Sequence, residues 1–240
     1  MFRWKIICLS LALCLIGCAS NSPLEGKPIP ERGDRSSANQ LAKNDFDRMA
    51  DVELAENTQS LKNLMLKLYK RNPNQLAKST SDNAEKMVAW VFENEPQHHW
   101  QFKEIDHKQG TEAIFLAFDA NYKNDRVLPF IVGLHTMLLK AHGNKTEFYL
   151  TDKIEPQSVY NVARNIEIAA WKLSNARDAN SNLYLISNEI SDKDKNLSFE
   201  REFGKMIGRT DLYAISLAEK SQRLISRVMQ SLATAVFLPF

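Results

Sequence analysis

Cysteine is missing from almost the whole of this 240-residue chain: Cys8, Cys14 and Cys18 are the only three, and none follows. Their confinement to the first 18 residues removes disulfides, thiolate nucleophiles and thiolate-based zinc sites from everything downstream. The 223 residues from position 18 onward must be held by an apolar core, which a chain of that size can bury without covalent staples. Glycine and proline are scarce, with eight of each, and 25% of residues are charged, the composition of an ordinary globular domain. An excess of one charge is lacking as well. Arg3 and Lys5 account for the net charge of +2, so the rest balances 29 basic against 29 acidic residues. Such a surface offers no basic field to nucleic acid or to anionic lipid. No apolar run approaches the about 20 residues of a bilayer span. Gly-x-Ser-x-Gly, a phosphate-cradling glycine loop and a Ser-x-x-Lys set with its companions are absent, which leaves common hydrolase and nucleotide chemistry without support.

What is present begins at the N-terminus. Arg3 and Lys5 precede an 11-residue apolar stretch, residues 6–16, and Gly17 then precedes Cys18. A basic start, a short hydrophobic region and a small residue before the processing point describe a segment removed on export. Leu15-Ile16-Gly17-Cys18 resembles the lipobox of bacterial lipoproteins. That resemblance implies a signal peptide at 1–17 and a diacylglycerol thioether on Cys18, a covalent lipid with no other cofactor. Two or more acyl chains make a stable anchor where one binds marginally. Ala19 and Ser20, rather than Asp, follow the cysteine, which by the sorting pattern of enterobacteria-like lipoproteins implies the outer membrane with the body facing the periplasm.

Residues 18–37 hold Pro23, Pro28, Pro30, Gly26 and Gly33 among serines and charges, the composition of a flexible tether. Fully stretched, it would reach roughly 60 to 70 Å. From residue 38 to 240 the periodicity predicts one all-α domain: an irregular bundle of about six to eight helices with room for one short extended segment. Leu61, Leu64, Met65 and Leu68 repeat at i, i+3, i+4, i+7. Asn72-Pro73 interrupts that helix. Asp82 and Glu85 read as a capping box for a helix carrying Met87, Val88, Val91 and Phe92, ended by Glu95-Pro96. Residues 97–108 lack a period and read as a loop packed on the domain. Thr111 precedes Ile114, Phe115 and Phe118; residues 127–139 form a central buried helix with Gly143 after its end. Pro156 opens a helix faced by Val159, Val162, Ala163, Ile166, Ala170 and Leu173. Residues 183–186 are a short extended piece and 191–196 a polar loop. Two helices close the chain, around 199–208 and over 211–235, with Thr210 as N-cap of the second and Leu212, Ile215, Leu224, Val228, Met229 and Leu232 as its stripe. Ala84, Val88 and Pro96 imitate half of a tetratricopeptide repeat once, with no second copy.

Few constellations carry chemistry. Asp192, Asp194 and Asn196 match the first offsets of a calcium loop, but Leu197 and Phe203 stand where glycine and glutamate belong. His98 and His99 are weak metal candidates, without the i, i+4 spacing that brings imidazoles to one helix face. His135 reads as a core histidine. Glu167, flanked by Ile166 and Ile168, is a candidate general acid because desolvation raises a carboxyl pKa, against the alternative of an ion pair with Arg164 or Arg201. Glu200, in the charge-alternating stretch 196–204, is the second carboxylate candidate. Residues 237–240 read as a tail packed beside the last helix. The stretches 161–171 and around Phe199 resemble parts of uncharacterised proteobacterial lipoproteins, a likeness that implies no activity. The expectation is a non-enzymatic binding or scaffold component of the cell envelope, anchored to the membrane and partnered by another envelope protein or peptidoglycan, not nucleic acid. The alternative is a peptidoglycan-acting enzyme using a carboxylate general acid.

Overall fold

Asn44 starts the first helix of the computed structural model. Its side-chain oxygen accepts from the N–H groups of Phe46 and Asp47, and Asp47 in return accepts from the Asn44 N–H. This reciprocal box satisfies donors that an uncapped helix leaves orphaned. Helix α1 (Asp45–Arg71) runs from there until Pro73, which cannot donate and so opens a separate helix α2 (Pro73–Ser79). Between them the buried Asn72 side chain bridges to a distant segment: its amide donates to Ile186 O at 2.9 Å and its oxygen accepts from Ile186 N at 2.8 Å. The structure describes residues 43–94, 98–149, 151–190, 195–222, 225 and 236–240. All belong to the second of two units, 1–40 and Leu41–Phe240. The expected signal peptide, Cys18 and the tether lie outside the described residues.

Five more helices follow, so the described residues hold seven: α3 (Ala84–Glu93), α4 (Gly110–Ala117), α5 (Val127–Ala141), α6 (Pro156–Asn175) and α7 (Ser198–Ser221). The domain is all-α, as the periodicity predicts. Its extended structure is a two-residue antiparallel pair, β1 (Glu189–Ile190) with β2 (Lys195–Asn196), and an isolated bridge between Arg177 and Leu183. The extended piece expected at 183–186 is thus reduced to that bridge, and 191–194 lie outside the described residues.

Helix α5 is the centre. Every residue in it except Lys140 is buried, and α1, α4 and α6 pack around it. Each large apolar side chain so buried stabilises the fold by roughly 1.5 to 3 kcal/mol. Its start is held by Asp125, which accepts from Val127 N, Tyr69 Oη and Ser79 Oγ. Its end carries two Schellman bonds, Asn144 N to Leu139 O and Gly143 N to Lys140 O. Halfway along, Gly133 permits a close approach of α4. A methyl group there would meet Gly110 O and Ile114 Cγ1 at 2.6 Å and Ile114 N at 2.9 Å. Glycine is needed because the backbone of α4 occupies the space of a side chain.

Three local expectations are corrected. Asn83, not Asp82, caps α3 by accepting from Lys86 N, and Asp82 instead pairs with Lys86 on the surface; Glu95 and Pro96 lie outside the described residues. The expected pair of final helices is one helix over 198–221. Thr210 does not cap anything: its hydroxyl donates to Glu53 at 2.6 Å and accepts from Asn57 at 3.0 Å, so the chain winds on uninterrupted. The buried stripe of α7 is consequently Phe199, Phe203, Met206, Thr210, Tyr213 and Leu217, a regular series with a polar member in its middle. Leu212 and Ile215 fall on the other side and are exposed by 59% and 42%. Leu224, Val228, Met229, Leu232 and Ala235 lie outside the described residues.

Candidate functional site

The residues singled out for chemistry are scattered. His98 and His99 sit on the turn after α3. His98 donates from Nε2 to Val91 O of α3 at 3.0 Å and accepts the Trp100 N–H at Nδ1, so one nitrogen ties the loop to the helix and the other serves the loop's own backbone. His99 is exposed, and no group of three or more metal-ligating side chains occurs among the described residues. Trp100 and Phe102 are buried from this loop, and His135 stacks on Trp100 with ring centroids 3.9 Å apart. His135 is enclosed, with Thr58 Oγ 3.3 Å from its Nε2, and burial, reinforced by Lys62, lowers its pKa to about 3. It is a neutral core ring, as the sequence indicated.

Glu167 is half-buried on α6. Desolvation raises its pKa, Arg164 opposes that shift and Asp211 adds to it. Arg164 reaches Glu167 at 3.1 Å and also holds Asp211 of α7, so Glu167 belongs to a three-member ion-pair network. Glu200 is exposed and accepts from Asn188 at 2.8 Å and Ser174 at 3.4 Å. Helices α6 and α7 run past each other so that Arg164 meets Asp211 while Ser174 meets Glu200. Ser174, which Glu200 meets, lies seven residues and about 10 Å of helix along α6 from Glu167, just beyond the about 5 to 9.5 Å between paired glycosidase carboxyls. The two candidates are not brought together. Asn196 lies in β2 and Leu197 before α7, whereas Asp192 and Asp194 lie outside the described residues.

A buried charged cluster does form, and of its members the sequence analysis singled out Thr210 alone, as a cap. His142 donates from Nδ1 to Leu138 O at 2.9 Å, and its Nε2 lies 3.1 Å from Glu53, both side chains being enclosed. Burial works against the charged ring, yet the Glu53 carboxylate and the Leu138 carbonyl outweigh it and hold its pKa above the usual value. Glu53 also accepts from Asn57 and Thr210, and Arg209 donates to Asn57 and Ser60. The cluster ties α1, α5 and α7 together. Its members line none of the cavities found among the described residues, and they bond chiefly to one another.

A second arrangement in which asparagine reads a distant piece of backbone, as Asn72 reads Ile186, lies on α6. Asn165, fully buried, accepts the Leu238 N–H at 2.6 Å and donates to Leu238 O at 2.8 Å. One turn earlier Asn161 donates to Pro239 O at 2.7 Å, its own oxygen being held by Gln157. Phe237 meets Phe115 edge-on at 5.1 Å between centroids, and Phe240 lies beneath Lys140 at 4.9 Å and against Gly110. Gly110 has φ of +53°, and a methyl group on it would stand 3.1 Å from the Phe240 ring. Among the described residues the tail's contacts are with α6, α4 and the end of α5, where a place beside the last helix was expected. Its signal was legible in part: two asparagines at i, i+4 inside the apolar face of α6 must find buried partners.

No protein family, curated protein or solved structure matches this chain.

Proposed function

We propose that this chain is a lipid-anchored, non-enzymatic binding component of a bacterial cell envelope, tied to the outer membrane through an acylated Cys18 and facing the periplasm. The observation that carries this reading is the N-terminal pattern: Arg3 and Lys5, an apolar stretch, then Leu15-Ile16-Gly17-Cys18. The body is consistent with it. Its two candidate carboxylates are occupied by structural partners, and the asparagines of α6 grip peptide backbone. No helix among the described residues is long and apolar enough to cross a membrane. The partner is another envelope protein or peptidoglycan.

Labelled palmitate should enter the parent protein and not a Cys18→Ser variant, and the variant should leave the outer-membrane fraction on a sucrose gradient. A Cys18→Ser protein that is processed and fractionates like the parent refutes the anchor. The raised pKa of Glu167 favours one second reading, a carboxylate-dependent enzyme acting on peptidoglycan. Muropeptide release by the purified protein, abolished by Glu167→Gln or Glu200→Gln, would establish that reading and overturn the non-enzymatic one.

A further inference from the structure

Residues 236–240 are seated in a way that depends little on side-chain identity at its centre and strongly on backbone. Asn165 takes both hydrogen-bonding groups of Leu238, and Asn161 takes the carbonyl of Pro239, where proline has no N–H to satisfy. This is how sheet edges read extended peptides, with main-chain bonds for affinity and pockets for alternate side chains, transferred here to one helix face. Phe237 and Phe240 supply the side-chain anchors, one on Phe115 and the other over Gly110. The segment is not absorbed into the core: Val236 is 63% exposed and Pro239 is exposed as well. Beside it lie two open cavities, of about 540 Å³ next to Phe115 and of about 430 Å³ reaching from Phe240 to Thr136 and Asn144.

We infer that this groove is a peptide-recognition site for an extended apolar-Leu-Pro-aromatic segment, occupied here by residues 237–240 as an exchangeable ligand that the same pattern on a partner protein displaces. The inference rests on the proposed role of the body as a binding component and names the class of its ligand. A second copy of this chain offers only the identical segment and gains nothing over the one already tethered, which works at an effective concentration in the millimolar range. A longer partner segment gains contacts, because it enters the cavities that residues 236–240 line and leave open.

The test uses the full chain carrying Phe237→Ala and Phe240→Ala together, which weakens the tethered ligand and leaves the groove intact. A fluorescein-labelled peptide copying residues 236–240 is titrated against it by polarisation, after circular dichroism has established the fold. Saturable binding is expected, at least about tenfold tighter than to the parent chain. It should weaken about tenfold when the peptide's leucine amide is N-methylated, which removes one hydrogen bond, and at least as much when Asn165→Leu is added, which removes two. A folded double variant that binds no better than the parent, binding indifferent to N-methylation, or a double variant that fails to fold each overturns the inference. Parent dimers that become monomers in the double variant would reassign the groove to tail exchange between copies. None of these results bears on palmitate labelling of Cys18, so failure here is distinguishable from failure of the anchored reading.

Discussion

Replacing Gly133 with alanine sets two effects of known size against each other. Alanine is favoured over glycine inside a helix by about 1 kcal/mol, and Gly133 lies in the middle of α5. The added methyl, however, lands 2.6 Å from Gly110 O and Ile114 Cγ1 and 2.9 Å from Ile114 N. Two of these three atoms are backbone, so no rotamer change relieves the contact and α4 itself must move. Overpacking of this kind costs about 1 to 3 kcal/mol, and displacement of backbone belongs at the upper end. The net expectation is a loss of about 2 kcal/mol, or a melting point lowered by about 4 to 8 °C for a body of this size. Movement of α4 also strains the 2.7 Å bond from Gly110 N to Thr136 Oγ and the floor under Phe240. Urea unfolding followed by circular dichroism measures the change, with an unchanged slope showing that the unfolded state is not responsible. A Gly133→Ala protein as stable as the parent, or more so, would refute the close approach of α4 and α5.

Other expectations follow from the buried groups. His142 has a folded pKa above its unfolded value near about 6.5. Its contribution is therefore fully present below that value and is lost as pH rises through the folded pKa. Urea stability should decline above neutral pH in the parent, and the decline should be absent in His142→Gln; a flat parent curve rejects the pairing with Glu53. His135 has the opposite sign: with its folded pKa lowered to about 3, stability falls as pH drops from the unfolded value toward that point. Its ring signals in NMR should stay unshifted from about pH 8 to about pH 5, and titration near the ordinary value would show that the ring is not enclosed. Deleting residues 237–240 orphans the buried Asn165 amide, at a cost of about 1 to 3 kcal/mol. The melting temperature should fall by several degrees without loss of the helical signal, and an unchanged value would show that the segment does not dock.

Local chemistry alone made much of the bundle legible. Pro73 and Pro156 mark helix starts because the ring has no donor to lose there, and α5 is recognisable as the centre because only Gly133, His135 and Thr136 break its apolar run over 127–139. The Val159 to Leu173 stripe of α6 is buried throughout for the same reason, a period matched to one face. Tertiary structure decided the fate of the polar residues set among such stripes. Thr210 has the chemistry of an N-cap, yet Glu53, more than 150 positions earlier, takes its hydroxyl, and one helix forms where two were expected. Asn161 and Asn165 could each have turned to solvent or to their own helix; only the arrival of Leu238 and Pro239 makes them a clamp. Glu167 found its neighbouring arginine, while its distance from Glu200 depended on the offset between α6 and α7. Periodicity and capping are properties of neighbours in sequence, but a hydrogen bond between distant residues exists only once packing has brought both groups to one place and excluded water from it.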